Sequence, residues 1–290
     1  MDTPVMADLR LDKVIAGLKA GMLVPYLGAE VVFLEAANAG LPVSTEALIA
    51  RFGKKVPIPG RLRKNLTAAA QYIETFRHRK ILRGLMSEAY AQPASPSVLH
   101  HWLVSLKPAM IVDMGYDAAT ATALAASSLS WGQVQGISRA DSRAGQGQDW
   151  VAAYTSAGEF CAESAAAVWQ TLLYKPLGSI TPASNFLVSD ADFVEVLTEI
   201  DVQTPIPDAA KARRSSRGFV FLGCRFDNQL ARTYARQIIK RSAGPHYALI
   251  GAEEPALTRN EQQFVDEQGI TVLPASVRDL LDSIGALLSS

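Results

Sequence analysis

The sequence predicts an α/β protein: a three-layer, Rossmann-like fold with a mostly parallel sheet, one domain across residues 1–290, and a mainly helical insertion at about 44–106. Two observations carry that expectation. Short apolar runs closed by glycine or other turn residues alternate with segments of helical periodicity, the pattern of parallel strands joined by crossover helices. The chain, with 290 residues, 49% apolar and 19% charged, also has the length and balance of a globular protein with a large core.

Leu11, Val14, Ile15 and Leu18 share one helical face, so Leu9–Leu18 reads as a helix. Met22–Leu27 is a buried strand closed by Gly28 and Ala29, although Pro25 is more at home on an edge or at a strand start. Val31–Ala39 follows as a helix, broken by Gly40-Leu41-Pro42. From Ser44 to Tyr90 the pattern is helical, interrupted at Pro57–Gly60, and Ser97 is placed to cap a further helix through Leu106. Ala109–Val112 is a second buried strand, and 118–130 reads as helical. Gly132–Gln148, with four glycines and mixed charge, reads as a long mobile loop. Thr171–Tyr174 and Phe186–Val188 are short strands, followed by a helix over Asp190–Ile200. Thr204–Ser216 is polar and basic and reads as exposed. Phe219–Gly223 is the clearest strand, with a helix from Asn228 to Ser242, strands at Tyr247–Ile250 and Ile270–Leu273, and a helix over Val277–Leu288.

Charge and composition exclude several classes of function. With 28 Lys+Arg against 28 Asp+Glu there is no excess positive charge, and the Arg213, Arg214, Arg217 cluster lacks interleaved aromatics, so no nucleic-acid partner is expected. Two cysteines, Cys161 and Cys224, imply a reducing compartment and cannot build a four-cysteine zinc site; no metal site is expected. Met1–Lys13 has no basic region followed by an apolar stretch, and Gly21–Leu34 is too short and too interrupted to span a bilayer. A cytoplasmic protein without a membrane partner is the expectation; its oligomeric state is left open.

In open parallel sheets, ligands bind beyond the carboxyl ends of the strands. Four stretches meet that description: Gly28–Glu30, Asp113–Asp117, Lys175–Ser179 and Gly223–Asn228. A glycine turn entering a helix offers unpaired N–H groups and a positive dipole end to a phosphate. Taken in order, these stretches resemble the sirtuin-like superfamily, in its bacterial branch without a zinc module, over roughly Met22–Leu287. That family has a Gly-Ala-Gly turn and a Gly-Leu-Pro segment, here Gly28-Ala29-Glu30 and Gly40-Leu41-Pro42. A strand ending in Thr-Asn-Tyr-Asp is matched by Met114-Gly115-Tyr116-Asp117, and Lys-Leu-His-Gly-Ser by Lys175-Pro176-Leu177-Gly178-Ser179. An acidic segment matches Ser189–Phe193, and a final Gly-Tyr-Ser strand with a nearby Asp matches Gly223-Cys224-Arg225-Phe226-Asp227.

The resemblance implies NAD chemistry, with a histidine as base toward a ribose hydroxyl and an asparagine that orients ribose and water. Leu177 stands at the histidine place and has no proton acceptor; Gly115 stands at the asparagine place and has no side chain. Glu30 replaces the third turn glycine and sets a carboxylate near a pyrophosphate, or occupies the anion site itself. The expectation is a catalytically degenerate pseudoenzyme that binds a nucleotide-like ligand, NAD or ADP-ribose, or a protein partner. The candidate contacts are Gly28, Ala29, Glu30, Tyr116, Asp117, Lys175, Gly178, Ser179, Gly223 and Asp227, with no catalytic residue assigned. Alternatives are an NAD-consuming hydrolase or transferase that uses Asp113, Asp117 or His101 instead, and a scaffold with a vestigial cleft. Cys224 and His100 are expected to be packing residues, and Lys175 a solvated head over a buried stem.

Overall fold

The computed structural model describes residues 3–42, 44–140, 150–202 and 206–289. The chain begins with α1 (Thr3–Lys19) and β1 (Leu23–Leu27), followed by two 3-10 turns, Ala29–Leu34 and Ala36–Gly40. Helices α2 (Thr45–Gly53), α3 (Leu66–Arg77), α4 (Arg79–Ala89) and α5 (Val98–Ser105) separate it from β2 (Met110–Asp113). Then come α6 (Ala119–Ala125), β3 (Trp131–Gly136), β4 (Val151–Thr155), β5 (Phe160–Cys161), β6 (Thr171–Lys175), β7 (Gly178–Ser179) and β8 (Asn185–Phe186). The remainder is α7 (Asp190–Val202), α8 (Asp208–Arg214), β9 (Gly218–Leu222), α9 (Gln229–Ile239), β10 (His246–Leu249), α10 (Arg259–Glu267), β11 (Ile270–Leu273) and α11 (Val277–Ser289).

Among the described residues nine strands form one sheet in the order β11-β10-β9-β1-β2-β6-β3-β4-β5. Every pairing from β11 to β3 is parallel, and β4 and β5 add an antiparallel edge. The two faces follow from strand alternation. Leu27, Ile111, Leu173, Val220 and Leu222 point to one side with Val14, Leu103, Leu124 and Leu280 of α1, α5, α6 and α11. Tyr26, Val112, Tyr174, Phe219 and Phe221 point to the other, against Ala210, Ile238 and Phe264 of α8, α9 and α10. Helices on both faces of a mostly parallel sheet make this the three-layer, Rossmann-like fold. Helices α2–α4 build a further core, which Tyr116, Phe186 and Val188 of the main body complete. α5, by contrast, packs on the sheet through Leu99, Trp102 and Leu103.

Three expectations are corrected. Val31–Ala39 is two 3-10 turns rather than an α-helix, because Glu35 at their junction is extended and its carboxylate accepts from the Ala37 amide. The stretch taken as a loop from Gly132 begins inside β3, with Gln133 and Gln135 buried. Two glutamines disguise that strand, and their amides are satisfied by Thr181 O and Ala183 O, each at 2.8 Å, from the segment laid across them. Residues 141–149 of that stretch lie outside the described residues. The basic run before β9 holds helix α8, and its arginines are spent on carbonyls rather than solvated. Arg214, 4% exposed, donates to Gln237 O and Ile238 O, and Arg213 to Ala166 O and Trp169 O. Residues 203–205 lie outside the described set. Among the described residues no helix is long and apolar enough to cross a membrane.

Candidate functional site

The strand order reverses direction at β1: the chain moves outward through β2, then returns to place β9 on its other side. Ligands of such sheets enter the crevice at that reversal. Here Gly28 and Gly223 end β1 and β9 in direct contact. The Gly28 amide donates to Leu222 O at 2.9 Å, and a Cβ on Gly28 would lie 1.7 Å from Gly223 O, so only glycine fits. Gly223 itself has φ +61, and a Cβ there would press on Val31 at 2.9 Å.

The walls of this crevice are acidic. Glu30 is exposed, and its carboxyl is pushed up, first by partial burial and then by Glu254, with Asp227 adding and Arg225 opposing. Arg225 is already committed: it forks onto Glu261 (3.0 and 3.1 Å), donates to Pro255 O at 2.8 Å and lies 3.7 Å from Glu254. Glu261 is buried yet held below the usual carboxylate range, because hydrogen bonds from Arg225 and Thr258 outweigh its desolvation. Among the described residues the Glu30 side chain makes no hydrogen bond. This carboxylate therefore accepts from none of the turn's own amides.

One strand further along the same edge, β2 and β6 end in a closed polar cluster. Lys175 is 1% exposed; its Nζ donates to Asp113 Oδ2 at 3.0 Å and to Asp117 O at 2.8 Å. Asp113 also accepts from Thr120 Oγ1 (2.7 Å) and from the Gly115 amide (2.8 Å), and Asp117 Oδ1 accepts from the Ala119 amide at 2.9 Å. Ser179 Oγ donates to Asp117 O at 3.3 Å. Burial pushes the Asp117 carboxyl up, Lys175 pulls it down and Asp113 pushes it up again. A Cβ on Gly115 would lie 2.6 Å from Asp117 Oδ2 and 3.2 Å from Asp113 Oδ1, so carboxylates fill the space a side chain would need there. Leu177 packs between the α2–α4 core and the cluster of Leu187, Phe193 and Tyr234.

The sequence-selected residues thus fall into two groups. Gly28, Ala29, Glu30, Gly223 and Asp227 border the acidic crevice, with Asp227 bonded to Asn228, the cap of α9. Asp117, Lys175 and Ser179 belong to the closed cluster, and Gly178 (φ +84) turns the chain over it. Tyr116 is buried, its hydroxyl donating to Leu187 O at 2.7 Å and its ring edge-on to Tyr90 and Phe186. Lys175 is corrected from solvated head to buried ion-pair partner, because two acceptors await its ammonium at the strand end. His101 lines a separate surface cleft with Lys107 and Leu129. His100 is buried over the cluster, and its Nδ1 accepts from the Ser97 amide at 3.1 Å. Burial first, then Lys175, lowers its pKa to about 4, against the pull of Asp113. Burial raises the Cys224 thiol, and Glu30 adds to it, so no thiolate is available. Among the described residues no cluster of three or more His, Cys, Asp or Glu could hold a metal. The acidic segment Ser189–Phe193 is structural: Asp192 accepts from the Val188 and Ser189 amides and pairs with Arg79 of α4 at 2.8 Å.

Sequence reading missed Glu254 and the carboxylate-spent state of Arg225. A signal for Glu254 existed, since Gly251–Glu254 follows β10 as the other stretches follow their strands.

A family model described as a SIR2-like domain matches residues 109–273, from the approach to β2 to the end of β11. A comparison with curated proteins finds no match.

Proposed function

The chain belongs to the SIR2-like domain family, and on that premise we propose that it is a catalytically degenerate member that acts by binding a protein partner rather than by cleaving NAD. One observation carries the reading: the places that would hold the family's base and its ribose-orienting amide are filled from within. Leu177 is an apolar wedge between two cores, and the room beside Gly115 is taken by the Asp113 and Asp117 carboxylates. Acid–base work at a ribose needs a group that can exchange a proton in the cleft. Asp113 is spent on Lys175, Thr120 and the Gly115 amide, and Asp117 on the amide that starts α6.

The cofactor that the family implies does not fit these residues. A pyrophosphate at the Gly28 turn would face Glu30, Asp227 and Glu254, with the neighbouring guanidinium already neutralised by Glu261. Like charges at such separations repel by an amount that water and salt reduce but do not remove. That charge disfavours NAD or ADP-ribose in this crevice and carries the protein-partner form of the reading forward. The buried Lys175–Asp113 pair would also have to be broken to admit a ribose, leaving an uncompensated buried charge.

The test is nicotinamide release from NAD by the purified full-length chain, run beside calorimetric titration with NAD and ADP-ribose. No release above the uncatalysed rate and no heat at millimolar ligand are expected, and Leu177→His alone leaves both results unchanged. Multiple-turnover release by the unaltered chain overturns the reading.

A further inference from the structure

We propose that a second, uncharged cavity on the α6 face of the sheet binds a neutral, planar small molecule carrying an N–H donor. The site lies away from the crevice between β1 and β9 and does not depend on what that crevice takes. Its volume is about 410 Å³, within the range of small-molecule sites. It opens between the start of β3, the β4–β5 turn, α6, the 90–94 segment and the segment after β7, with Tyr90, Trp131, Ile180 and Pro182 among its walls.

Two properties define its ligand. None of the lining residues carries a charge. An ion brought into such a site loses its hydration without gaining a counter-charge, so a neutral molecule is selected. The second property is one buried polar group with unused capacity. Gln133 is 2% exposed, and its Nε2 donates to Gln135 Oε1 and to Thr181 O, both at 2.8 Å. Those two acceptors fix which end of the amide is Nε2, and they leave Oε1 unbonded on a residue that lines the cavity. Oε1 has no partner among the described residues, yet it is not among the sealed-off unpaired atoms, of which only Gln237 Oε1 is one there. An acceptor held rigidly on a strand beside aromatic and aliphatic walls recognises a donor N–H on a flat apolar body. Trp131 adds an indole to the same walls, its N–H without a partner among the described residues.

Phenylurea supplies such a body, with N–H donors and a carbonyl. Phenylguanidinium keeps its shape with a positive charge, and phenylacetate replaces the polar end by a negative one. Titration of the full chain, followed by NMR of the Trp131 indole and Gln133 side-chain amide signals, reads each affinity. The expected result is saturable phenylurea binding with a dissociation constant on the order of millimolar, as suits a fragment, and binding of both ions about tenfold weaker or more. Thr122 is exposed on the rim, so Thr122→Trp closes the entrance without touching the core and is expected to abolish binding at an unchanged melting temperature. Equal affinity for the three probes, no saturation by phenylurea, or unchanged phenylurea binding in the Thr122→Trp variant overturns the proposal.

Discussion

The ends of β1 and β9 and the ends of β2 and β6 are neighbours on one edge of one sheet, yet they are built in opposite physical ways. At the first, two glycines touch, as a phosphate-binding turn requires, and the exposed carboxylates of Glu30 and Asp227 and the half-buried one of Glu254 lie around them. At the second, one buried ammonium faces two carboxylates and space is gone, with Lys175, Asp113, Thr120, Asp117 and Ser179 bonded to one another under α6. The difference teaches that field and occupancy are separate physical controls on what a strand-end site admits, and that the two answer to different substitutions.

The largest effect is expected at the closed cluster. Lys175→Met removes the cation and leaves Asp113 and Asp117 buried side by side without compensation, at a cost of about 3–5 kcal/mol. Denaturant titration reads the loss. The double variant Lys175→Met/Asp113→Leu removes the stranded Asp113 charge but leaves Asp117 without a cation and Thr120 and the Gly115 amide without their acceptor, so it is expected to regain only part of the loss. If Lys175→Met is as stable as the parent, the cluster is hydrated and open, and the contrast between the two regions disappears.

The cluster's other wall is α5, where His100 sharpens the comparison through pH. Its folded pKa of about 4 lies below the ordinary value of 6.5, mainly because burial disfavours the imidazolium. The native state therefore binds fewer protons than the unfolded one between these values. The stability it contributes is complete above pH 6.5 and is lost as pH falls toward 4, by about 3 kcal/mol. Asp117, raised by burial, acts with the opposite sign, weakening the fold as pH rises through its folded pKa. Comparing urea midpoints of the parent and His100→Leu from pH 7 to 4 removes the Asp117 contribution common to both. The parent is expected to lose stability across that range and the variant to show a flatter profile; parallel profiles would mean that solvent reaches His100.

How much of this was legible in the sequence follows from the same contrast. The pattern of apolar runs marked β1, β2, β6, β9 and β10, interior parallel strands apolar on both faces, and also the edge strand β11. It failed at β3, where Gln133 and Gln135 are polar yet buried, since their partners are carbonyls some 48 residues away in sequence. The edge hairpin β4–β5 carries too short a pattern to stand out, and α10 was missed although Thr258 and Glu261 form a reciprocal cap that the sequence spells. At the site, the absences were readable: Leu177, Gly115 and Glu30 are visible as residue types. What surrounds them was not. The bond from Lys175 to Asp113 joins residues 62 apart, and Arg225 is neutralised by a residue 36 further on. Local sequence shows which residue type stands at a place, while its partners are a long-range fact of the fold.

The smallest effect expected is at the open crevice, where charge alone is to be changed. Glu30→Gly restores a glycine to the turn and Glu254→Gln neutralises the carboxylate that most raises the Glu30 pKa, after burial. Glu30 is exposed, and a glutamine at the half-buried 254 keeps an acceptor for the Gly251 amide, so the fold is expected to keep its melting temperature. If field is what disfavours an anion here, each change raises pyrophosphate affinity by about three- to tenfold at low ionic strength, and the gain shrinks in salt because exposed charges are screened. Calorimetry with inorganic pyrophosphate at two salt concentrations reads this. ADP-ribose is the sharper probe, since its distal ribose must still find room at the Lys175–Asp113 cluster. Pyrophosphate binding should therefore improve in the double variant while ADP-ribose gains no more than its pyrophosphate part. An ADP-ribose gain well beyond that of pyrophosphate would mean that the cluster yields to a ribose, and that charge at the crevice had been the sole barrier.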